Sequence, residues 1–500
     1  MMELSPPGAV RWICRTLEEA GFETWAVGGA VRDALAGIPS GDWDLTTSAR
    51  PGQIRRIFPR TVPIGVEHGT VGILARDGTL FEVTTFRRDV QTTGRHAVVA
   101  FSDSLDEDLA RRDFTINAVA WHPLRKVMYD PFSGVADMEA RCLQTVGEAR
   151  VRFAEDYLRI LRALRFAGVF QLTVTSETWS ALVEAVPRMG QLSAERIREE
   201  MEKILTGHAQ PSASLSLYAA SGVLAFFYPE LDRLVGLPHP PETRMWDVDD
   251  GEARVDGHGQ PHGYGQAHEN DREGGAVRSG DVWSHALRTV DLLPRHRPAL
   301  RWAALLAGIG IPEEDQGAGE VGEEEGRRTL LRSAAVLRRL RSSNARIQEV
   351  GGLAEWIGRP PDPSASDASL RRWLSQVGRD RLPDLLRIWI AEARSDRLLR
   401  AAPEKGPQGW KVEELRRLAR RLRGLSSMEF PLSTGELAFS GRDLIRMGHR
   451  PGPHFGQLLD HLLEMVLQDP ELNTSEALTL EAKRWMKDWE AREGASAEGR

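Results

Sequence analysis

WAVGGAVRDALAGIPSGDWDLTTS, residues 25–48, decides how the front of this 500-residue chain is read. A short apolar run enters Gly28 and Gly29, a helical turn follows, and Asp42 and Asp44 then open a β-rich run. Glycines between a strand and a helix let backbone amides approach phosphate oxygens, and the start of a helix favours negative charge. Arg32, in the first helical turn, reaches the same phosphates. Residues two apart on a strand share a face, so Asp42 and Asp44 can both address one hard cation. Glu82, in LFEVTTF, offers a third carboxylate from a neighbouring strand. Either half alone is commonplace, since glycine pairs make turns and a lone D-x-D is a solvated turn. Together they describe a triphosphate on amides and Arg32 with Mg²⁺ on two carboxylates. That is an arrangement for nucleotidyl transfer, in which bound metal activates a hydroxyl and stabilises a leaving pyrophosphate.

Around this stretch, WDLTTS, GTVGILA and GTLFEVTTF read as strands between Gly, Pro and Arg-Asp turns, with short helical patterns in VRDALAG and GQIRRIF. The period changes near residue 150. RFAEDYLRILRALRFAG (152–168) has apolar residues every three or four positions, and SAERIREEMEKILTG opens on a serine cap and closes on glycine. Helical patterns then run to the C-terminus. The fold class is therefore α+β, with a mixed-sheet head of residues 1–148 followed by an all-α remainder. Residues 149–235 form a helical neck, 282–400 a helical body and 401–490 a helical tail. Residues 236–281 are rich in Gly, His and Asp, and 313–326 carry EEDQGAGEVGEEEG; neither stretch can bury enough apolar surface to order, and 491–500 are expected to be disordered as well. His258, His262 and His268 read as part of a solvated loop rather than a metal site.

Composition excludes several classes. Hydrophobic residues are 41% and charged residues 27% of the chain, as in ordinary globular proteins. No apolar run approaches the ~20 residues of a membrane span, and no signal-peptide pattern opens the chain. Two cysteines, Cys14 and Cys142, argue against a disulfide framework and point to a reducing cytoplasm. A net charge of −7 does not advertise nucleic-acid binding, although phosphates respond to local basic surface.

The chain resembles the class II tRNA nucleotidyltransferases, the bacterial-type CCA-adding enzymes, and their relatives the bacterial poly(A) polymerases. GGAVRD with DWDLTT looks like the first motif of that family, RRDFTINAVAW (111–121) the second and YDPFSGVADMEARCLQTVGEA (129–149) the third. RFAEDYLRILRALRFAG is similar to the fourth and SAERIREEMEKIL (193–205) to the fifth, and residues 431–474 look like the C-terminal helical region. The resemblance implies CCA addition to the 3′ end of tRNA from CTP and ATP without a nucleic-acid template. It implies Mg²⁺ on Asp42 and Asp44, and phosphate contacts from Gly28, Gly29 and Arg32. It places Arg112, Asp113 and Asn117 around triphosphate and ribose, Asp156 and Arg159 at the base, and Arg162 and Arg165 at the rest of the nucleotide. An Asp acceptor beside an Arg donor suits cytosine and adenine, each with an amino donor next to a ring acceptor, and rejects guanine and uracil. Three positions apart, Asp156 and Arg159 are expected side by side on one helix.

The pattern also departs from the family. VWSHALRTVDLLPRHRPALRWAALLAGIGIP (282–312) looks like a histidine-aspartate metal domain, but the expected His-Asp pair reads Ala307-Gly308, so a degenerate scaffold without phosphohydrolase activity is expected around His285. RRDVQTTGRHAVVAF (87–101) matches the loop that couples C to A addition, yet lacks expected aromatic and acidic residues; CC-adding and A-adding variants stay open, as does poly(A) polymerase or an idle RNA-binding module. The tRNA, through its 3′ end and its acceptor and TΨC arms, is the expected macromolecular partner. WKVEELRRLARRLRG (410–424), with six Lys or Arg against two Glu, and VLRRLRSSNARI (336–347) are candidate tracks for its backbone. Oligomeric state is not legible.

Overall fold

Strand β1 (Thr24–Val27) is buried along its whole length because its two faces enter different cores. Ala26 packs with Leu45, Val71, Ile73, Phe81 and Val83 beneath the helices α1 (Gly8–Glu19), α2 (Gly29–Leu35) and α3 (Pro51–Ile57). Trp25 and Val27 face the other way, towards Phe86, Leu105, Leu109 and Ala120. Around β1 run β2 (Asp44–Thr47), β3 (Thr61–Gly65), β4 (Thr70–Leu74), β5 (Leu80–Thr85), the hairpin β6 (Arg87–Thr93) and β7 (His96–Phe101), α4 (Leu105–Ala110), β8 (Ala120–Trp121) and β9 (Met128–Tyr129). Seven strands form one mixed sheet, ordered β3-β4-β5-β2-β1-β8-β9, in which β2 and β5 are parallel and the other pairs antiparallel. Helix α5 (Gly134–Glu139) and β10 (Cys142–Leu143) close the head.

The computed structural model describes residues 4–39, 41–93, 96–238, 281–311, 321–399 and 412–498. They fall into two units, Met1–Arg233 with Arg339–Ser342, and Leu234–Arg338 with Ser343–Arg500. In the first unit the sheet leads into α6 (Ala149–Glu155), α7 (Leu158–Phe170), β11 (Thr173–Val174), α8 (Ser176–Ala185), α9 (Ala194–Gly207), α10 (Pro211–Ala220), α11 (Val223–Phe227) and α12 (Pro229–Asp232). Helices α7 and α10 approach closely at Gly168, where a Cβ would lie 2.1 Å from Ser214 Oγ.

Residues 152–168 are not the single helix expected. The chain leaves α6 at Asp156 (φ −154°, ψ 107°) and restarts as α7. The aspartate itself makes the break: its Oδ1 accepts the Leu158 N–H at 3.0 Å and its carbonyl accepts the Arg159 N–H at 3.0 Å. Short acidic side chains compete in this way with the helix ladder.

The second unit is helical: α13 (Val282–Leu292), α14 (Pro298–Leu306), α15 (Val321–Arg339), α16 (Asn344–Ile357), α17 (Asp367–Val377), α18 (Leu382–Leu399), α19 (Val412–Ser426), α20 (Gly441–Arg446), α21 (Pro453–Gln468) and α22 (Ser475–Glu498). Trp283 and Trp302 are fully buried in it, and α20, α21 and α22 share a core of Leu444, Leu458, Leu462, Val466 and Leu478. Two expectations of disorder are corrected. Val321 to Gly326, the end of the acidic stretch, form the first turns of α15. Helix α22 runs on through residues 491–498, where Ala, Glu and Arg, good helix formers, outnumber Gly494 and Ser496. The Gly/His-rich stretch, with its three histidines, lies outside the described residues from 239 to 280. Its ends meet: Pro238 bridges Asp281, whose buried carboxylate accepts the Gly236 N–H and caps α13.

Candidate active site

Strand pairing makes the opening stretch one site. Val27 is the register partner of Asp44, so Gly28, the next residue, comes to lie beside the Asp44 carboxylate. Gly28 has φ 73° and ψ −133°, a conformation that suits glycine, and a Cβ there would meet Asp44 Oδ2 at 3.4 Å and Arg112 Nη1 at 3.6 Å. Asp42 precedes β2 rather than lying in it, but Trp43 between the two aspartates is buried against Trp121, which leaves Asp42 and Asp44 on the other side. Burial first, and then the charges of Asp42 and Glu82, raise the Asp44 carboxyl to about 6 against the opposing pull of Arg112. Three carboxylates thus share one electrostatic neighbourhood with little internal compensation, the condition in which a divalent cation is favoured.

Next to this acidic edge lies a basic pocket. Arg112 donates to the Asn117 carbonyl (3.3 Å) and to the buried Asp108 carboxylate (3.3 Å). Asn117 donates to Asp113 (2.8 Å) and accepts from Arg32 Nη1 (3.0 Å). Asp113 is buried, which alone would raise its carboxyl, but Arg162 Nε at 2.7 Å and the Asn117 hydrogen bond hold it below the usual range. Arg165 Nε donates to Glu200 at 2.7 Å. Burial would raise Glu200 too, and Arg165 and Lys203 keep it ionised. Thus Gly28, Gly29, Arg32, Asp42, Asp44, Glu82, Arg112, Asp113, Asn117, Arg162 and Arg165 converge.

Asp156 and Arg159 do not form the helical pair expected. Asp156 Oδ2 accepts from Arg196 Nη2 at 2.6 Å, whereas Arg159 pairs with Glu155 and donates to the carbonyls of Arg152 (2.9 Å) and Arg111 (3.3 Å). Across the helix break at Asp156 the two side chains take different partners. Asp156 still acts electrostatically on Arg162, and Arg159 on Asp113, so both border the pocket. Sequence reasoning missed Arg196 and Glu200, which occupy i and i+4 of α9. The signal was present in RIREEMEK, but nothing in that charged run separates Glu200, 1% exposed, from its solvated neighbours. In the second unit, His285 is buried in α13 and Ala307-Gly308 form a 3₁₀ turn after α14.

Comparison with known proteins identifies the family. The poly A polymerase head domain family matches residues 24–144, and the region described as "Probable RNA and SrmB- binding site of polymerase A" matches residues 171–234. A CCA-adding enzyme of Geobacillus thermodenitrificans is 32% identical over 470 residues, covering 93% of this chain and 94% of that protein. A CCA-adding enzyme of Lactiplantibacillus plantarum is 43% identical over 238 residues, 46% of this chain and 58% of that protein. Among solved structures, the CCA-adding enzyme of Bacillus stearothermophilus in complex with CTP superposes with a TM-score of 0.66 at 29% identity, covering 98% of this chain and 100% of that one. With near full-length similarity and a head that assembles glycines, carboxylates and arginines into one site, the chain belongs to the family of the CCA-adding enzymes.

Proposed function

We propose that this protein is a tRNA nucleotidyltransferase that rebuilds the 3′-terminal CCA of tRNA from CTP and ATP, with Mg²⁺ as cofactor. One observation carries the reading: β1–β2 pairing sets Gly28 beside the Asp44 carboxylate, with Arg112 also lining Gly28 and Asp42 and Glu82 acting on Asp44 at the same edge. These oxygen donors and their poorly compensated charge fit a hard divalent cation, which Asp42 and Asp44 would hold with Glu82 beside them. An ion held there would supply Lewis acidity for activating a 3′-hydroxyl and for neutralising the leaving pyrophosphate.

The chain's own groups bind and orient. Gly28 and Gly29 let the backbone approach the triphosphate, and Arg32, Arg112, Arg162 and Arg165 supply the opposing charge. Asp113 and Asn117 brace those guanidiniums through the hydrogen bonds above. Asp156 is fixed by Arg196 and by the Leu158 N–H, and each carboxylate oxygen keeps a lone pair for the amino group of cytosine or adenine. Arg159 is the partner donor to the base. The two cysteines, Cys14 and Cys142, are free thiols, in keeping with a reducing cytoplasm.

The test uses tRNAs ending at the discriminator base, after the first C and after the second, each offered Mg²⁺ with single nucleotides and with CTP plus ATP. Completion to CCA with rejection of GTP and UTP is expected. Long A tails would instead make the protein a poly(A) polymerase, arrest after CC or failure to start without CC would make it a partial enzyme, and no incorporation would leave an RNA-binding module.

A further inference from the structure

Three cations of the pocket share one aromatic ring. The guanidinium carbons of Arg165, Arg32 and Arg162 lie 4.2, 4.7 and 5.2 Å from the centroid of Phe166, which is 2% exposed. Arg162 and Phe166 are one turn apart on α7, whereas Arg32 arrives from α2 in the head. Each arginine has its own carboxylate: Asp33 at 2.6 Å, Asp113 at 2.7 Å and Glu200 at 2.7 Å. Like charges this close repel: burial most of all, and then Arg165 and Arg162, weaken proton binding at Arg32, against the pull of Asp33. A ring face is negative and attracts cations, most strongly away from water.

The carboxylates also leave the ends of two arginines open. Asp113 and Glu200 accept from the Nε atoms of Arg162 and Arg165, and among the described residues no hydrogen bond takes their terminal Nη groups, which are left for another acceptor. Arg32 is more constrained, with Nε and Nη2 on Asp33 and Nη1 on Asn117.

Building on the nucleotide-site reading, we infer that Phe166 is a positioning residue for nucleotide binding: its ring gathers Arg32, Arg162 and Arg165 so that the open Nη groups meet the nucleotide's triphosphate together. Phe166 touches no phosphate; it sets where the cations stand before the ligand arrives. Pre-organisation of this kind lowers the ordering cost of binding.

The experiment measures equilibrium binding of CTP with Mg²⁺, and of CMP, to the full-length chain. Phenylalanine at position 166 is replaced site-specifically by its mono-, di- and trifluorinated forms, which drain the ring face stepwise at nearly constant volume. CTP binding should weaken in step with fluorination, reaching about tenfold for the trifluorinated ring, while CMP binding stays level. Phe166→Leu should lose at least as much, with a raised KM for CTP and a smaller change in kcat. Flat CTP affinity across the fluorinated series would overturn the inference and leave the nucleotide site intact, as would equal losses for CTP and CMP. Absence of CTP binding by the unmodified protein would overturn the nucleotide-site reading and the inference with it.

Discussion

At the scale of single residues, Asp44 shows how a site built for a charged ligand strains the protein that carries it. Its carboxyl is raised from an ordinary 3.8 to about 6 by burial, Asp42 and Glu82. A raised acid binds its proton more tightly in the folded state, so folding stability falls as pH rises from about 4 through 6. In EDTA at pH 7.5, Asp44→Asn should therefore be more stable than the parent by on the order of 2 kcal/mol. Near pH 4 the two should converge, and Mg²⁺ should stabilise the parent far more than the variant. Urea unfolding at the two pH values reads this directly; equal stability at pH 7.5 would mean that the three carboxylates do not repel as described. Proximity alone does not make such a site. Cys14, Glu18 and His122 also lie within metal-ligating reach of one another. There, however, His122 Nδ1 accepts the backbone N–H groups of Leu124 (3.3 Å) and Arg125 (3.1 Å). Its proton therefore sits on Nε2, facing Glu18 at 2.5 Å, and burial pushes the Cys14 thiol up to about 12.

At the scale of elements, α19 is a basic helix with its apolar side settled. Leu415, Leu418, Leu422 and Leu425 are buried. Arg416 pairs with Glu413 and Arg421 with Asp367, whereas Arg417, Arg420 and Arg423 are exposed and have no ion-pair partner among the described residues. Spaced at three-residue steps, they suit a phosphate backbone better than a fold-stabilising network. Replacing all three with alanine keeps helical propensity. It should raise KM for tRNA by about tenfold and flatten its dependence on salt, as each lost phosphate contact removes roughly one unit of salt slope. CTP binding should not change; an unaltered KM for tRNA would take the RNA off this helix. The same helical period that made α19 legible misled at residues 152–168. Periodicity reports which residues face a core, and α6 and α7 both do, but it does not report a side chain that captures the next turn's amide. Asp156 does so, and with that break its partner becomes Arg196 from α9, some forty residues on, instead of Arg159.

At the scale of the whole molecule, the sheet-then-helices order was legible because strand alternation and the 3.6-residue period are carried locally. So was most of the acidic edge, because Asp42 and Asp44 lie in one stretch with the glycines and one strand pairing joins them, while β2–β5 pairing adds Glu82. The remaining parts of the pocket were not, because Phe166, Glu200 and Arg196 act through contacts that depend on how α7 and α9 pack, and their charge pattern resembles that of any solvated helix. That distribution has a consequence for the intact protein. Every residue proposed to hold the nucleotide lies in Met1–Arg233, and the basic helix α19 lies in the other unit. A ligand that binds only the folded state stabilises what it touches, by about 2.7 kcal/mol at ~100 times its Kd. CTP with Mg²⁺ should therefore slow amide exchange around Gly28, Asp44, Asn117 and α7 while leaving α13 to α22 unchanged. Adding tRNA should extend protection to α19 and the C-terminal helices. Hydrogen-exchange mass spectrometry resolves both steps. Protection by CTP alone in the second unit, or none at Gly28 and Asp44, would place the nucleotide elsewhere than in the pocket that residues 25–48 begin.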